Sequence, residues 1–294
     1  MPGFHFNPND LHRLNRLIFA VPVAASDSTS GSHRTRFAGE GVDFLDFRPY
    51  SEGDDCRQVD WTVYGRLRQL FVRLNETSRQ LCVSLLVDCS QSMMFGSACT
   101  KLEQAQKVAC GLAYVALRNG DRLNLCGFSR GLHDMIGPLT GVRSVAAVVR
   151  QLSAMPAGGP SDLMEAARHL CAMRRQRGLV IILSDFLNVV SCEEAISMIL
   201  SRGGKVLVVQ ILDDLDYGKG LKGLLRLRDS ESGRAVDIAI DALSLEAYQA
   251  EFERRRCLLE RFLLQRRQSY LRASTGDDAL ELICRALRAK AVVR

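Results

Sequence analysis

A chain of 294 residues, 47% of them hydrophobic and 24% charged, can bury one large core or a main core with an appended module, since single cores stop growing at roughly 250 to 300 residues. Neither its Gly and Pro content nor its charge pattern is that of a disordered chain. The net charge of +6 is mild, and its densest stretch, "ERRRCLLERFLLQRRQSYLR", alternates arginines and leucines at helical spacing, so it reads as a solvated helix face rather than a nucleic-acid surface, with acidic partners left open.

The ten cysteines include no C-x-x-C pair and fall mostly in apolar runs, which predicts reduced thiols and a cytoplasmic protein. The nearest thing to a membrane segment, "LIFAVPVAA" (17–25), is far shorter than the roughly 20 residues a spanning helix needs and contains Pro22, so no membrane insertion is expected.

Residues 1–78 carry few periodic runs and the dense segment "GEGVDFLDFRPYSEGDDCRQVDWTVYGR", and are expected to form a small, strand-rich N-terminal module. Trp61 is expected as a core anchor there, and Arg48 and Arg57 are expected to pair internally with Asp54 and Asp55. From residue 79 to 294 apolar runs alternate with amphipathic stretches, the pattern of parallel strands and crossover helices.

"LCVSLLVD" is continuously apolar and ends in Asp88, as a central strand covered on both faces should. "KLEQAQKVACGLAYVALRNG" is a helix stopped at Asn119-Gly120, "RLNLCGFS" a strand, and "LHDMIG" an antiparallel edge strand. "VRSVAAVVRQLSAM" and "DLMEAARHLCAMRR" are helices broken by "GGPS"; "GLVIILSDF" is a strand ending in Asp185. A helix over "CEEAISMILSRGG", a strand over "KVLVVQILDD", a hairpin across 222–240, a long helix from about Ser244 to Arg267, a strand at "SYLRAS" and a final helix complete the pattern. The fold class is α/β: a doubly wound, mostly parallel open sheet with a C-terminal helical end.

In such sheets ligands sit beyond the carboxyl ends of the strands, where Asp88 and Asp185 both lie. Ser90 and Ser92 occupy the turn after Asp88, and Ser161 opens a helix on the same rim. Two carboxylates and three hydroxyls are hard oxygen donors that suit Mg²⁺, Mn²⁺ or Ca²⁺ and disfavour zinc or iron. The alternative is that Ser90 or Ser92 caps the helix beginning at Lys101, that Ser161 caps the next helix, and that the acids are merely solvated.

The D-x-S-x-S at Asp88, Ser90 and Ser92, with Ser161 and the "SD" at Asp185, resembles the metal-ion-dependent adhesion site of von Willebrand factor A-like domains. "GEGVDFLDFRPYSEGDDCRQVDW", "GGPSDL" and "ILSDF" together resemble the bacterial domain-of-unknown-function family numbered fifty-eight, from about Phe37 onward. The resemblance implies an A-type domain that binds Mg²⁺ or a similar ion and grips an acidic residue of a protein client, working beside a MoxR-type AAA+ ATPase in the assembly or metal-loading of other proteins. It also implies a threonine where this chain has Ser161.

Other chemistries fit less well. "GFSRG" matches a nucleophile elbow at Ser129, but a strand-like stretch follows and no histidine occurs after His169. No G-x-x-x-x-G-K-[ST] or G-x-G-x-x-G occurs, so ATP or dinucleotide binding by this chain is not expected. His133 and His169 read as structural or solvated. The runner-up is a metal-dependent phosphoester hydrolase that holds its ion with Asp88 and Asp185 and takes Asp162 or Asp213 as general base.

Overall fold

The computed structural model describes residues 8–19, 30–39, 43–52, 54, 56–173, 178–187, 189–229 and 233–289. Its contacts divide the chain into two units, Pro22–Leu81 and Met1–Val21 with Cys82–Arg294. Helix α1 (Pro8–Leu14) groups with the larger unit. Two polar contacts just after it, one partly and one fully buried, show why: Tyr114 donates to Asn15 Oδ1 (2.9 Å) and Asn119 Nδ2 to the Leu17 carbonyl (3.1 Å).

The smaller unit is strand-rich: β1 (Ser30–Gly39), β2 (Asp43–Pro49), helix α2 (Trp61–Leu67) and β3 (Phe71–Arg79), with the strands antiparallel in the order β1-β3-β2. Asp60 caps α2 by accepting from the N–H groups of Thr62 and Val63. The expected pairing of Arg48 with Asp54 is present at 2.8 Å; Asp55 lies outside the described residues. Trp61 is not a core anchor: it is 63% exposed, because as the first helical residue its ring meets only Tyr64, edge to face at 6.1 Å, among the ring contacts described.

The larger unit runs β4 (Cys82–Asp88), α3 (Lys101–Arg118), β5 (Arg122–Phe128), β6 (Leu132–Leu139), α4 (Val145–Ala154), α5 (Leu163–Met173), β7 (Leu179–Ser184), α6 (Val189–Ser201) and β8 (Lys205–Leu212). It continues through the hairpin β9 (Gly223–Arg228) and β10 (Ala235–Ile240), helix α7 (Ala242–Gln265), β11 (Ser269–Ser274) and α8 (Ala279–Ala289). The main sheet is six-stranded, β11-β8-β7-β4-β5-β6, parallel except for the edge strand β6. Chain α/β alternation thus produces the mostly parallel open sheet.

The apolar strands explain their own burial. Val83, Leu85, Leu86, Val87, Ile181, Ile182 and Val208 are all fully buried, each worth about 1.5–3 kcal/mol relative to exposure. α5, α6 and α7 supply one apolar layer through Ala166, Leu170, Ile196, Ile199, Leu259 and Leu263, while α3 packs with α1, α4 and α8. Gly178 lets β7 start beside β4: a Cβ there would come within 2.0 Å of the Cys82 carbonyl oxygen. No disulfide is present among the described residues, and burial pushes the thiols of Cys89, Cys110, Cys126 and Cys192 up to about 12, so they pack as inert apolar groups.

Asp213, one residue past β8, ties three loops together. Its Oδ1 accepts from the Leu215 N–H (2.9 Å), and its Oδ2 accepts from the N–H and hydroxyl of Ser97 (2.9 Å each) and from the Thr275 hydroxyl. Burial pushes this carboxyl up, but the bonds from Thr275, Leu215 and Ser97 outweigh it and hold it at about 2. A carboxyl depressed in the folded state adds stability that is complete above the unfolded value near 4 and lost as pH falls through about 2. Asp213→Asn is therefore expected to lower the melting temperature at pH 7, with the gap to the wild type closing between pH 4 and pH 2 in calorimetric scans.

Candidate functional site

β4 and β7 are neighbours, with Val87 opposite Leu183, so Asp88 ends its strand beside Ser184 and Asp185 follows one residue later. β5 lies on one side of β4 and β8 on the other side of β7, so the loops leaving β4 and β7 part in opposite directions and open a crevice between them. The sheet order, invisible in residue spacing, brings the two acids together.

Asp88 is the hub of this crevice and is fully buried. Its Oδ1 accepts from the Ser90 N–H (2.9 Å), and its Oδ2 accepts from the hydroxyls of Ser161 (2.9 Å) and Ser184 (2.7 Å). The Ser90 and Ser92 hydroxyls lie 3.1 Å apart. Two backbone bonds clip the loop carrying Ser161 onto this turn: Gly158 N–H to the Cys89 carbonyl (2.8 Å) and Gln91 N–H to the Gly159 carbonyl (2.9 Å). Gly159 takes φ +81°, a left-handed conformation that glycine adopts without strain, so "GGP" is what delivers Ser161 to Asp88.

The capping alternative for these hydroxyls is not what the structure shows. α3 is capped by Thr100, whose hydroxyl accepts from the Glu103 N–H while Glu103 reaches back to the Thr100 N–H. At the start of α5 it is Asp162 that accepts from the Glu165 N–H (2.9 Å). Ser161 turns to Asp88 instead.

Two partners were not singled out in the sequence. Ser184 stands in the "SD" before Asp185, and its role depends on the pairing of β7 with β4. Lys101, 1% exposed, sends Nζ to Asp185 Oδ2 (2.8 Å) and to Asp216 Oδ1 (3.1 Å). A lysine in the first turn opposes the helix dipole, and its only sequence signal is that unfavourable position. Burial pulls Lys101 down, but Asp185 and then Asp216 more than reverse this and raise it, keeping it charged.

Asp88 has no ion pair among the described residues. Burial first, and then the charge of Asp185, push its carboxyl upward against the hydrogen bonds from Ser184 and Ser90. Asp185 and Asp216 thus share one ammonium, and Asp88 lies beside them without it. Gln210 fixes the acid loop by donating to the Asp185 carbonyl (2.8 Å) while accepting from Tyr270 (2.6 Å).

Ser92, Ser161, Ser184 and Asp185 line a cavity of about 250 Å³, beside Phe186 and Leu187. Among the described residues no group of three or more His, Cys, Asp or Glu is arranged to hold a metal, so an ion here would depend on hydroxyl oxygens as well as carboxylates. Ser129 sits in the tight turn before β6, where its N–H bonds the Gly131 carbonyl (3.1 Å). His133 pairs with Asp134 (2.7 Å) and His169 with Glu165 (3.2 Å), and neither is bonded to Ser129 among the described contacts.

The chain has clear relatives. The family described as "Protein of unknown function DUF58" matches residues 46–257. Uncharacterized proteins of Mycobacterium bovis and Mycobacterium tuberculosis are each 31% identical over 215 residues, spanning 72% of this chain and 68% of theirs. Among solved structures, the conserved hypothetical protein BatB of Bacteroides thetaiotaomicron aligns over 72% of this chain and 98% of its own at 15% identity and a TM-score of 0.43. The family match and the mycobacterial relatives are sufficient: the chain belongs to the DUF58 family of proteins of unknown function.

Proposed function

We propose that this protein is a non-enzymatic, metal-dependent protein-interaction module with a von Willebrand factor A-like site, working in the cytoplasm with a MoxR-type AAA+ ATPase in the assembly or maturation of other proteins. The observation that carries the reading is that Ser92, Ser161 and Asp185, from three separate loops, line one cavity, with Asp88 hydrogen-bonded to Ser161 and Ser90 to Ser92 directly behind it. The residues fit a hard divalent ion because all are oxygen donors, and because Asp88 has no ion pair among the described residues.

Mg²⁺, or Mn²⁺ or Ca²⁺ in its place, would be held by these five residues and supply a positive centre for a client's carboxylate. The chain's own part is to hold the donors in place. Ser184 and Ser161 orient Asp88, the Ser90 N–H fixes its second oxygen, and Gln210 fixes the Asp185 backbone. The ATPase partner rests on the family resemblance alone.

Nucleic acid is not a preferred partner. Arg254 and Arg255 on α7 are both paired with Glu251, and Arg256 with Glu253 and Glu260, as on a solvated helix face. Among the described residues no helix is long and apolar enough to cross a membrane. The hydrolase alternative lacks support from its bases: Asp213 is consumed by Ser97, Thr275 and Leu215, and Asp162 accepts from the start of α5.

Titration calorimetry is expected to show Mg²⁺ or Mn²⁺ binding that is lost in Asp88→Ala and kept in Ser129→Ala; absence of binding by the wild type would remove the reading. Capture of a MoxR-type ATPase at matched salt should fall sharply with chelator, and equal capture with and without it would exclude gripping through the metal.

A further inference from the structure

The face that β4 and β5 turn toward α5 changes character along its length. Near the carboxyl ends it carries Leu86 and Phe128, both packed in the apolar layer with α5. Side chains two residues apart share a strand face, so the same face carries Ser84 and Asn124, paired with each other in register, nearer the amino ends. Polar groups at this depth are costly without partners, and these two are short of them. Ser84 is fully buried, and its hydroxyl makes no hydrogen bond among the described residues. Asn124 Nδ2 donates to the Cys82 sulfur at 3.6 Å, a weak acceptor, and its Oδ1 accepts no bond among the described residues.

Both residues line a cavity of about 400 Å³. Apolar side chains make up much of the remaining wall: Leu170 and Met173 of α5, Met135 and Pro138 of β6. Gly137 keeps the polar end open, because a Cβ there would come within 2.7 Å of Asn124 Oδ1. Met135 and Met173 are 46% and 52% exposed, so the cavity opens between β6 and the end of α5. Ser84 stands four residues before Asp88, about 13 Å along the strand, which separates this cavity from the crevice of acids.

We infer that this cavity binds a small, mainly apolar molecule bearing one hydroxyl or primary amide group. Its volume lies within the roughly 300–1,000 Å³ of small-molecule sites. A dry apolar cavity of about 150 Å³ takes benzene, so 400 Å³ takes a molecule of about fifteen non-hydrogen atoms. The polar group follows from the two partners it meets. Asn124 Oδ1 can only accept, whereas the Ser84 hydroxyl can donate, so a group serving both must donate and accept at once. Alcohols, phenols and primary amides do this; carboxylates, ketones and ethers do not. Neighbouring strands lie about 4.8 Å apart, close enough for one such group to reach both side chains. Arg122 lines the cavity too but is already engaged, so the ligand needs no charge. Methionine side chains adapt their shape, which suits Met135 and Met173 to an aromatic or an aliphatic body.

The test compares 2-naphthol with naphthalene, which differ by the hydroxyl alone, titrated against the full chain and followed by NMR of the ligand. 2-Naphthol is expected to bind the wild type at least tenfold more tightly than naphthalene. In Ser84→Ala that advantage should fall below threefold, while the melting temperature without ligand stays level or rises, because an unpartnered buried hydroxyl has been removed. Met173→Trp, at an exposed position, narrows the cavity and should weaken both probes at least tenfold. Failure of both probes to bind the wild type, or equal affinity for the two, would overturn the inference. So would 2-naphthol binding that neither variant changes, or a Ser84→Ala protein that melts below the wild type, since the hydroxyl would then already have a partner.

Discussion

Lys101 holds Asp185 and Asp216 where the central strands end, and a third acid, Asp88, is buried beside them without that ammonium. Lys101 satisfies Asp185 and Asp216, while Asp88, the most enclosed of the acids, is held by hydroxyls and a backbone N–H alone. Burying a charge without a partner is costly, and hydrogen bonds to neutral groups repay only part of it. On the proposed reading a further cation would stabilise the fold here, and the acids are concentrated at the crevice between the loops that leave β4 and β7.

Position and charge are set by different parts of the chain. Continuous apolar strands bury β4, β7 and β8 and fix which residues reach the rim, so Asp88, Asp185 and Asp213 all arrive at carboxyl ends. Loops then do the selecting. "GGP" folds back on the 89–91 turn to bring Ser161 in, and Asp213 draws Ser97 and Thr275 together so that Lys101 starts its helix beneath the acid loop.

Much of this is legible in the sequence because it depends on local pattern. "LCVSLLVD", "GLVIILSD" and "KVLVVQILDD" declare themselves as buried strands, and the hairpin near 222–240 follows from alternation around a turn. What escapes is nonlocal. Ser184 gains its role only once β7 lies beside β4, and Lys101 reads as an ordinary helix residue until Asp185 and Asp216 are brought to it from 84 and 115 residues away. Helix caps show the same limit at short range: Thr100 outcompetes Ser90 and Ser92 because it stands immediately before the helix with Glu103 in register. Trp61 shows it in reverse, since a large apolar residue predicts burial on average and here begins an exposed helix.

Lys101→Met, melted in chelator and in saturating Mg²⁺, measures what the buried ammonium contributes and whether a divalent ion stabilises the same acids. Removing one partner from a buried ion pair costs about 3–5 kcal/mol, a drop on the order of 10 °C for a unit of this size. That drop is expected in chelator, with a Mg²⁺-induced rise larger in the variant than in the wild type, because the proposed ion would bind only the folded cluster. A variant that melts with the wild type in chelator, or a melting temperature that Mg²⁺ moves in neither protein, would contradict that expectation.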